Sequence, residues 1–203
     1  MTITNGYATL AQFKAVDNMI STDATDDTFI EDLITRVSRE IDRETGRWFY
    51  ARTLTRYYDV PNSRQLDLDI DLLTVTTLTN GDGTVLTTAD YYLVDKNTSP
   101  YYAIRLKETS GTQWLDNDGE IENAITLVGT FGFVSRSATD DRSIGLIRST
   151  EQLCLIWAIA EYKRRYGVGV EGTAQVTGAG VVITPKALPD SAQMTLSSLR
   201  RLT

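Results

Sequence analysis

A chain of 203 residues with 27 acidic and 20 basic side chains carries a net charge of −7. That is the wrong sign for gripping nucleic acid, where Lys and Arg must neutralise phosphate. There is no histidine and only one cysteine, which removes Ser-His-Asp and Cys-His catalysis, nearly all catalytic zinc arrangements and any intramolecular disulfide.

The length suits one ordinary domain, or a core plus an inserted module, that buries about 70% of its unfolded surface without disulfide or metal. The start has neither a basic n-region nor an apolar run, and no segment approaches the ~20 apolar residues of a membrane span. A soluble protein made in a cytoplasm is the expectation. Residues 1–47 hold 9 acids and 5 bases, residues 48–147 hold 14 and 8, and residues 148–203 hold 4 and 7. An acidic body with a basic C-terminal quarter implies complementary contact between copies or with a partner, against the simpler reading of an ordinary solvated surface.

Thr9-Leu-Ala-Gln-Phe-Lys-Ala-Val-Asp17 predicts a short helix capped by Thr9, with Leu10, Phe13 and Val16 inward. Ile30, Leu33, Ile34, Val37 and Ile41 then form one apolar stripe on a helix from Asp27 to Thr45. Thr28-Phe-Ile-Glu31 reads as its capping box and Gly46 as its C′ residue. The opposite face carries Glu31, Asp32, Arg36, Arg39, Glu40 and Arg43, spaced for ion pairs one turn apart.

After Trp48-Phe49-Tyr50 the period changes from 3.6 to 2. Strands are predicted at 54–60, 65–70, 73–79, 91–94, 101–106 and 125–128. Leu66, Leu68 and Ile70 take one face of their strand, and Asp67, Asp69 and Asp71 the other. Asn80-Gly81-Asp82-Gly83 supplies a tight hairpin turn, and Asp116-Asn-Asp-Gly119 another turn. Helical spacing returns at Ser149, where Ser149-Thr-Glu-Gln152 reads as a second capping box. From Leu153 to Ala160 the helix is apolar nearly all round, which predicts burial on most sides. Lys163-Arg164-Arg165 suits its C-terminal turn and Gly167 its end. Residues 167–185 are glycine-rich, β-branched and almost uncharged, long for a structureless loop. Pro189 starts a last short helix that carries Met194, Leu196, Leu199 and Leu202.

Candidate chemistry is thin. Cys154, inside an apolar helix face with no histidine to activate it, reads as structural. Asp67, Asp69 and Asp71 on one strand face offer the sharpest enzymatic option, a paired-carboxylate hydrolase, against the plainer reading that alternation points them at solvent. Asp116-Asn-Asp-Gly-Glu120 lacks the ligand spacing of a calcium loop and reads as a β-turn. Thr177-Gly-Ala-Gly180 lacks the third glycine and following helix of a dinucleotide fingerprint. No catalytic residue, metal site or cofactor site is predicted.

The order of these pieces carries a resemblance. Ile41-Asp-Arg-Glu-Thr-Gly-Arg-Trp-Phe49 leads into Thr53-Leu-Thr-Arg-Tyr-Tyr-Asp59, then Leu68-Asp-Ile-Asp-Leu-Leu-Thr-Val75, Gly81-Asp-Gly83, Asp90-Tyr-Tyr-Leu93 and Val128-Gly-Thr-Phe-Gly-Phe133, with a helix beginning near Arg148. In this order the chain resembles, from about residue 7 to its end, the head–tail connector (adaptor) family of long-tailed bacteriophages, in the form with a β insertion between helices. The proline usual near the start of the helix after the insertion is replaced by Arg142-Ser-Ile-Gly145.

The resemblance implies a non-catalytic virion subunit made in the bacterial host cytoplasm. It implies a ring, commonly of twelve copies, beneath the portal, with a further neck or tail protein below and a central channel that DNA passes without sequence-specific binding. Partner contacts are then expected from the glycine-rich arm at Gly169, Val170, Val176, Gly178, Val181, Val182 and Ile183. They are also expected from Leu196, Leu199, Arg200, Arg201 and Leu202 near the C-terminus. The expected architecture is α+β, with a small helical core of residues 1–50 and 145–203, an inserted antiparallel β module over 51–144, and the glycine-rich loop before a short C-terminal helix. Alternatives are a stopper or tail-completion protein. From a different class comes a carbohydrate-binding or carbohydrate-active β protein using Asp67, Asp69 and Asp71 with Tyr91, Tyr92, Tyr101 and Tyr102.

Overall fold

The longest apolar stripe in the sequence sets the axis of the helical part. In the computed structural model, which describes residues 3, 5–16, 24–135, 139–166, 175–176, 182–183, 188 and 190–200, helix α2 runs Asp27–Thr45. Ile30, Leu33, Ile34, Val37 and Ile41 are all buried on it, each contributing about 1.5–3 kcal/mol of transfer free energy. Gly46 closes the helix with φ 65°, its N–H donating to the Asp42 carbonyl, a left-handed turn that glycine adopts without a Cβ clash. The helix starts where expected, but its cap differs. Asp26 takes the N-cap position, so Thr28 lies inside the helix and does not cap it. The Asp26 carboxylate accepts instead from the Tyr162 hydroxyl at 2.8 Å, so the capping group is spent on a tertiary contact.

Helix α1, Leu10–Val16, has a reciprocal cap. Thr9 Oγ1 accepts from the Gln12 N–H at 3.2 Å, and Gln12 Oε1 accepts from the Thr9 N–H at 2.8 Å. Phe13 is buried, but Val16 is 60% exposed and does not face inward. Helix α3, Asp141–Tyr166, begins well before the expected Ser149. Its cap is Asp140, whose Oδ1 accepts from the Ser143 N–H at 2.9 Å. That bond holds the Asp140 carboxyl below its ordinary value. Ser149 and Thr150 are interior, and the Thr150 hydroxyl donates back to the Leu146 carbonyl. Helix α4 spans Asp190–Leu199.

The chain divides into two compact units, residues 1–46 with 144–203, and residues 47–143. Within the helical unit, α2 and α3 meet through small side chains, with Ser38 Oγ 3.6 Å from Cys154 Sγ. Ser38 also donates to the Ile34 carbonyl and accepts from the Tyr7 N–H. At the far end of α3, Phe13 and Phe29 pack on Tyr162, and Arg165 lies 3.9 Å above the Phe29 ring. The aromatic end of α3 is thus pinned just before the glycine-rich arm leaves it. Burial along α3 is one-sided: Leu153, Cys154 and Ala158 are buried, while Leu155, Ile156, Trp157 and Ile159 are only half-buried. The expected burial on most sides is not met within the chain.

The β unit holds strands β1 (Arg52–Tyr58), β2 (Gln65–Thr79), β3 (Val85–Leu86), β4 (Tyr91–Val94), β5 (Tyr101–Leu106) and β6 (Ile125–Phe131). They form one antiparallel sheet in the order β1-β6-β2-β5-β4, with β3 paired to β2. The two strands expected over 65–70 and 73–79 are one fifteen-residue strand. Register shifts near Asp71 and Leu72 put two buried residues side by side there, as a bulge does. Alternation therefore fails at Asp71, which turns inward. The first half of β2 pairs with β5 and the second half with β6, and the sheet curls enough for Arg56 and Tyr58 of β1 to reach Asp69. Leu66, Leu72, Leu78, Ile104, Leu127 and Phe131 fill the inner side.

Two glycines are fixed by close approach. A Cβ on Gly129 would collide with the Thr74 carbonyl, and one on Gly81 with the backbone of Leu115 and Asp116. Asn80 is buried, its amide donating to the Gln113 carbonyl at 2.9 Å and accepting from the Leu115 N–H at 3.0 Å. Asp118 and Gly119 both have positive φ and make the turn expected at 116–119. In the glycine-rich arm, two short strands pair with each other, β7 (Gln175–Val176) and β8 (Val182–Ile183). The chain is α+β.

Two outcomes test these contacts. Gly129→Ala lowers stability in urea by about 1–3 kcal/mol, as overpacking against backbone does. Asp140→Ala speeds amide exchange at Asp141–Gly145 and nowhere in the sheet. Because the Asp140 carboxyl is depressed in the folded chain, the wild-type cap is intact above its ordinary value of 3.8 and is lost as pH falls through the lower folded value.

Candidate assembly surface

The β unit begins and ends at one place. Arg47, the residue after Gly46, donates to Asp71 Oδ2 at 2.9 Å, with the two side chains 16% and 8% exposed. Its guanidinium also lies 4.1 Å from the Phe133 ring centroid, and Phe133 packs edge-on to Phe49. The returning chain is tied to the same spot: the Gly132 N–H donates to the Asp71 carbonyl and the Phe133 N–H to the Trp48 carbonyl. Gly132, at φ 147°, has no room for a Cβ against Tyr50. Arg52 lies over the Trp48 ring and within 3.4 Å of the Tyr50 hydroxyl.

This root redistributes the carboxylates expected to share a face. Asp71 is buried in the ion pair. Asp69 is engaged by Arg56 and accepts from the Tyr58 hydroxyl at 2.8 Å, and burial, then this carboxylate, pushes the Tyr58 phenol up. Asp67 is exposed and accepts from Gln65. The three do not form one solvent face. Tyr91 is buried, Tyr92 and Tyr101 are half-buried, and Tyr102 is exposed. Among the described residues no group of three or more His, Cys, Asp or Glu side chains could hold a metal, and no helix is long and apolar enough to cross a membrane.

The outer side of the sheet is different. The pairings Tyr57↔Thr126, Thr126↔Thr79 and Thr79↔Val85 align four side chains in one row across β1, β6, β2 and β3. The next row is Thr55, Val128 and Thr77, and beyond it Thr53, Thr130 and Thr74. None of the ten is charged, and Tyr57 and Val85 are 59% and 56% exposed.

Of the residues expected to meet partners, Gly169, Val170, Gly178, Val181, Arg201 and Leu202 lie outside the described residues. Val176 falls in β7, and Val182 and Ile183 in β8. Leu196 and Leu199 are buried where α4 packs on α2, and Arg200 reaches Glu44 at 3.3 Å. Met194, on the same helix, is 74% exposed.

This fold is similar to a solved one. A chain from the neck of an empty GTA particle, computed with C6 symmetry, superposes with a TM-score of 0.53 at 14% identity, covering 100% of this chain and 94% of that one. No protein-family model matches the chain, and no curated protein sequence matches it.

The Arg47–Asp71 root and the uncharged outer face were not read from sequence. The root joins residues 24 apart with no local pattern between them. The face was signalled by the threonines alternating along 53–57 and 126–130, once the strands were paired. Asp71→Asn leaves Arg47 uncompensated and costs about 3 kcal/mol or more in urea unfolding. Asp67→Asn changes stability by less than about 0.5 kcal/mol, as an exposed substitution does.

Proposed function

We propose that this chain is a non-catalytic structural subunit in the neck of a phage-like particle, acting as a head–tail connector. In this reading copies form a ring beneath the portal, join the DNA-filled head to the tail and line the DNA channel. The observation that carries the reading is the likeness of fold over the whole chain to a chain of a particle neck. The order of the sequence motifs agrees with it. The net charge of −7 also agrees, since a like-charged wall lets DNA slide without holding it.

Partner contacts in this reading come from the arm, through Gly169, Val170, Val176, Gly178, Val181, Val182 and Ile183, and from the C-terminal segment with Arg200, Arg201 and Leu202. Leu196 and Leu199 serve indirectly, because their burial seats α4 and leaves Met194 facing outward. The half-buried apolar side chains of α3, Leu155, Ile156, Trp157 and Ile159, suit further burial between copies. A stopper or tail-completion protein is the alternative within the neck. The carbohydrate reading loses its constellation, because Asp69 and Asp71 are each engaged by an arginine.

Light scattering tests the proposal. A portal ring mixed with this chain gains mass in multiples of 22.6 kDa, and Met194→Lys reduces the gain without lowering the melting temperature. A portal ring that gains no mass from the wild-type chain refutes the connector reading. Truncation before α4 is the poorer probe, since losing Leu196 and Leu199 opens the helical core.

A further inference from the structure

Strand β1 is an edge without a guard. Its seven residues pair with β6 in unbroken register from Arg52↔Phe131 to Tyr58↔Ile125, and it ends the sheet. Among the described residues no hydrogen bond reaches its outer edge. Such an edge leaves on the order of three N–H and C=O pairs open to another strand. Proteins ordinarily blunt an edge with a proline, a bulge, a charge outward or inward, a covering segment or short length. β1 has no proline and no bulge. Its two charges are occupied elsewhere, Arg52 over the Trp48 ring and Arg56 with Asp69. Its outward side chains are Thr53, Thr55 and Tyr57, all exposed and all of strand-favouring type. The opposite edge, β4, is four residues long and is flanked by Asp90, Asp95 and Lys96. The sheet protects one edge and leaves the other open.

The chain also carries a strand pair that belongs to no larger sheet. β7 and β8 pair only with each other among the described residues, and a two-stranded hairpin is marginal alone. From Gly172 to Thr184 the arm has no charged residue. Copies that each carry a net charge of −7 repel most where acids face acids. Two uncharged surfaces are where such copies can meet at least electrostatic cost.

We propose that the β1 edge is a docking site for the β7–β8 hairpin of a second copy of this chain, which extends the sheet by main-chain pairing beside Thr53, Thr55 and Tyr57. The contact is heterologous, edge of one copy to arm of the next, and so propagates around a ring instead of closing a pair. It rests on the ring reading above and names the strand that receives the arm.

The test uses the full chain, in concentrated solution and on the portal ring. Thr55→Lys guards the edge with an exposed charge that leaves the inner core untouched. Its melting temperature stays at the wild-type value, while association between copies weakens at least tenfold by sedimentation. Separately, chains with Thr55→Cys and Val176→Cys are mixed and oxidised. Disulfide-linked pairs that contain one chain of each kind support the proposal, with Tyr102→Cys in place of Thr55→Cys as the comparison. A Thr55→Lys chain that assembles like wild type overturns it, as do cross-links no more frequent than with Tyr102→Cys. So does capture of Thr55→Cys by a strand of another neck protein. In each of those cases portal binding by the wild-type chain, read from the mass of the portal ring, still upholds the neck reading on its own.

Discussion

Arg47 places its guanidinium 2.9 Å from Asp71 and 4.1 Å from the Phe133 ring one residue after Gly46 has ended helix α2. Three segments far apart in sequence are thereby fixed together: the outgoing chain, the middle of β2 and the returning chain. The pair is partly desolvated, so its net gain over apolar replacements is small, but loss of either partner strands a charge in a poorly solvated place. Its worth lies in specification. Asp71 can face inward only if β2 bulges there, and the bulge is what lets one strand serve β5 with its first half and β6 with its second. The same bulge turns the sheet so that Asp69 meets Arg56 and Tyr58. The curl of the β unit, the dispersal of its carboxylates and the course of its two ends follow from one ion pair at its root.

From that arrangement comes an uneven surface. Acids crowd the 108–122 segment, where Glu108, Asp116, Asp118, Glu120 and Glu122 have no Lys or Arg among them. The outer side of β1, β6 and the second half of β2 carries rows of threonine with Val128, Tyr57 and Val85 and no charge in those rows. In the proposed ring a chain of net charge −7 sits beside its own copies and needs surfaces of the second kind, because desolvating matched acids is far costlier than covering hydroxyls and methyls. On this argument the acidic and neutral regions divide the work. In the proposed ring the first repels DNA phosphate and the second is where copies approach.

What the sequence disclosed depended on the range of the interaction. Helix α2 was legible because its stripe and Gly46 are local signals that packing did not override. The α+β division was legible because the period changes after Tyr50 and changes back before Leu153. Capping was misread twice for one reason. Thr28-Phe-Ile-Glu31 and Ser149-Thr-Glu-Gln152 both have the spacing of a box, yet both lie inside their helices, which begin at Asp27, as expected, and at Asp141, eight residues before Ser149. Helical spacing was read only from Ser149, while the Asp140 carboxylate supplied the true start. Alternation along 65–71 carried the eye past the bulge, since nothing in a strand pattern announces a partner 24 residues away. The residues near the C-terminus expected to meet partners show the range of the signal too. Leu196 and Leu199 are apolar for the helical core, and sequence alone does not separate a core leucine from an interface leucine.

An open strand edge is a hazard for any protein that lives free in solution, because it pairs with whatever extended chain it meets. β1 keeps Thr53, Thr55 and Tyr57 outward and turns both of its arginines to other tasks, so its openness is not forced by the fold. Lysine at Thr55 would guard the edge without touching the inner core, which is lined by Leu54 and Tyr58 from this strand. The edge is therefore tolerable where its partner is always at hand, and an assembly that supplies identical neighbours is such a place. In the proposed contact the uncharged arm and the unguarded edge are two halves of one interface carried on the same chain, and neither half is complete until a second copy arrives.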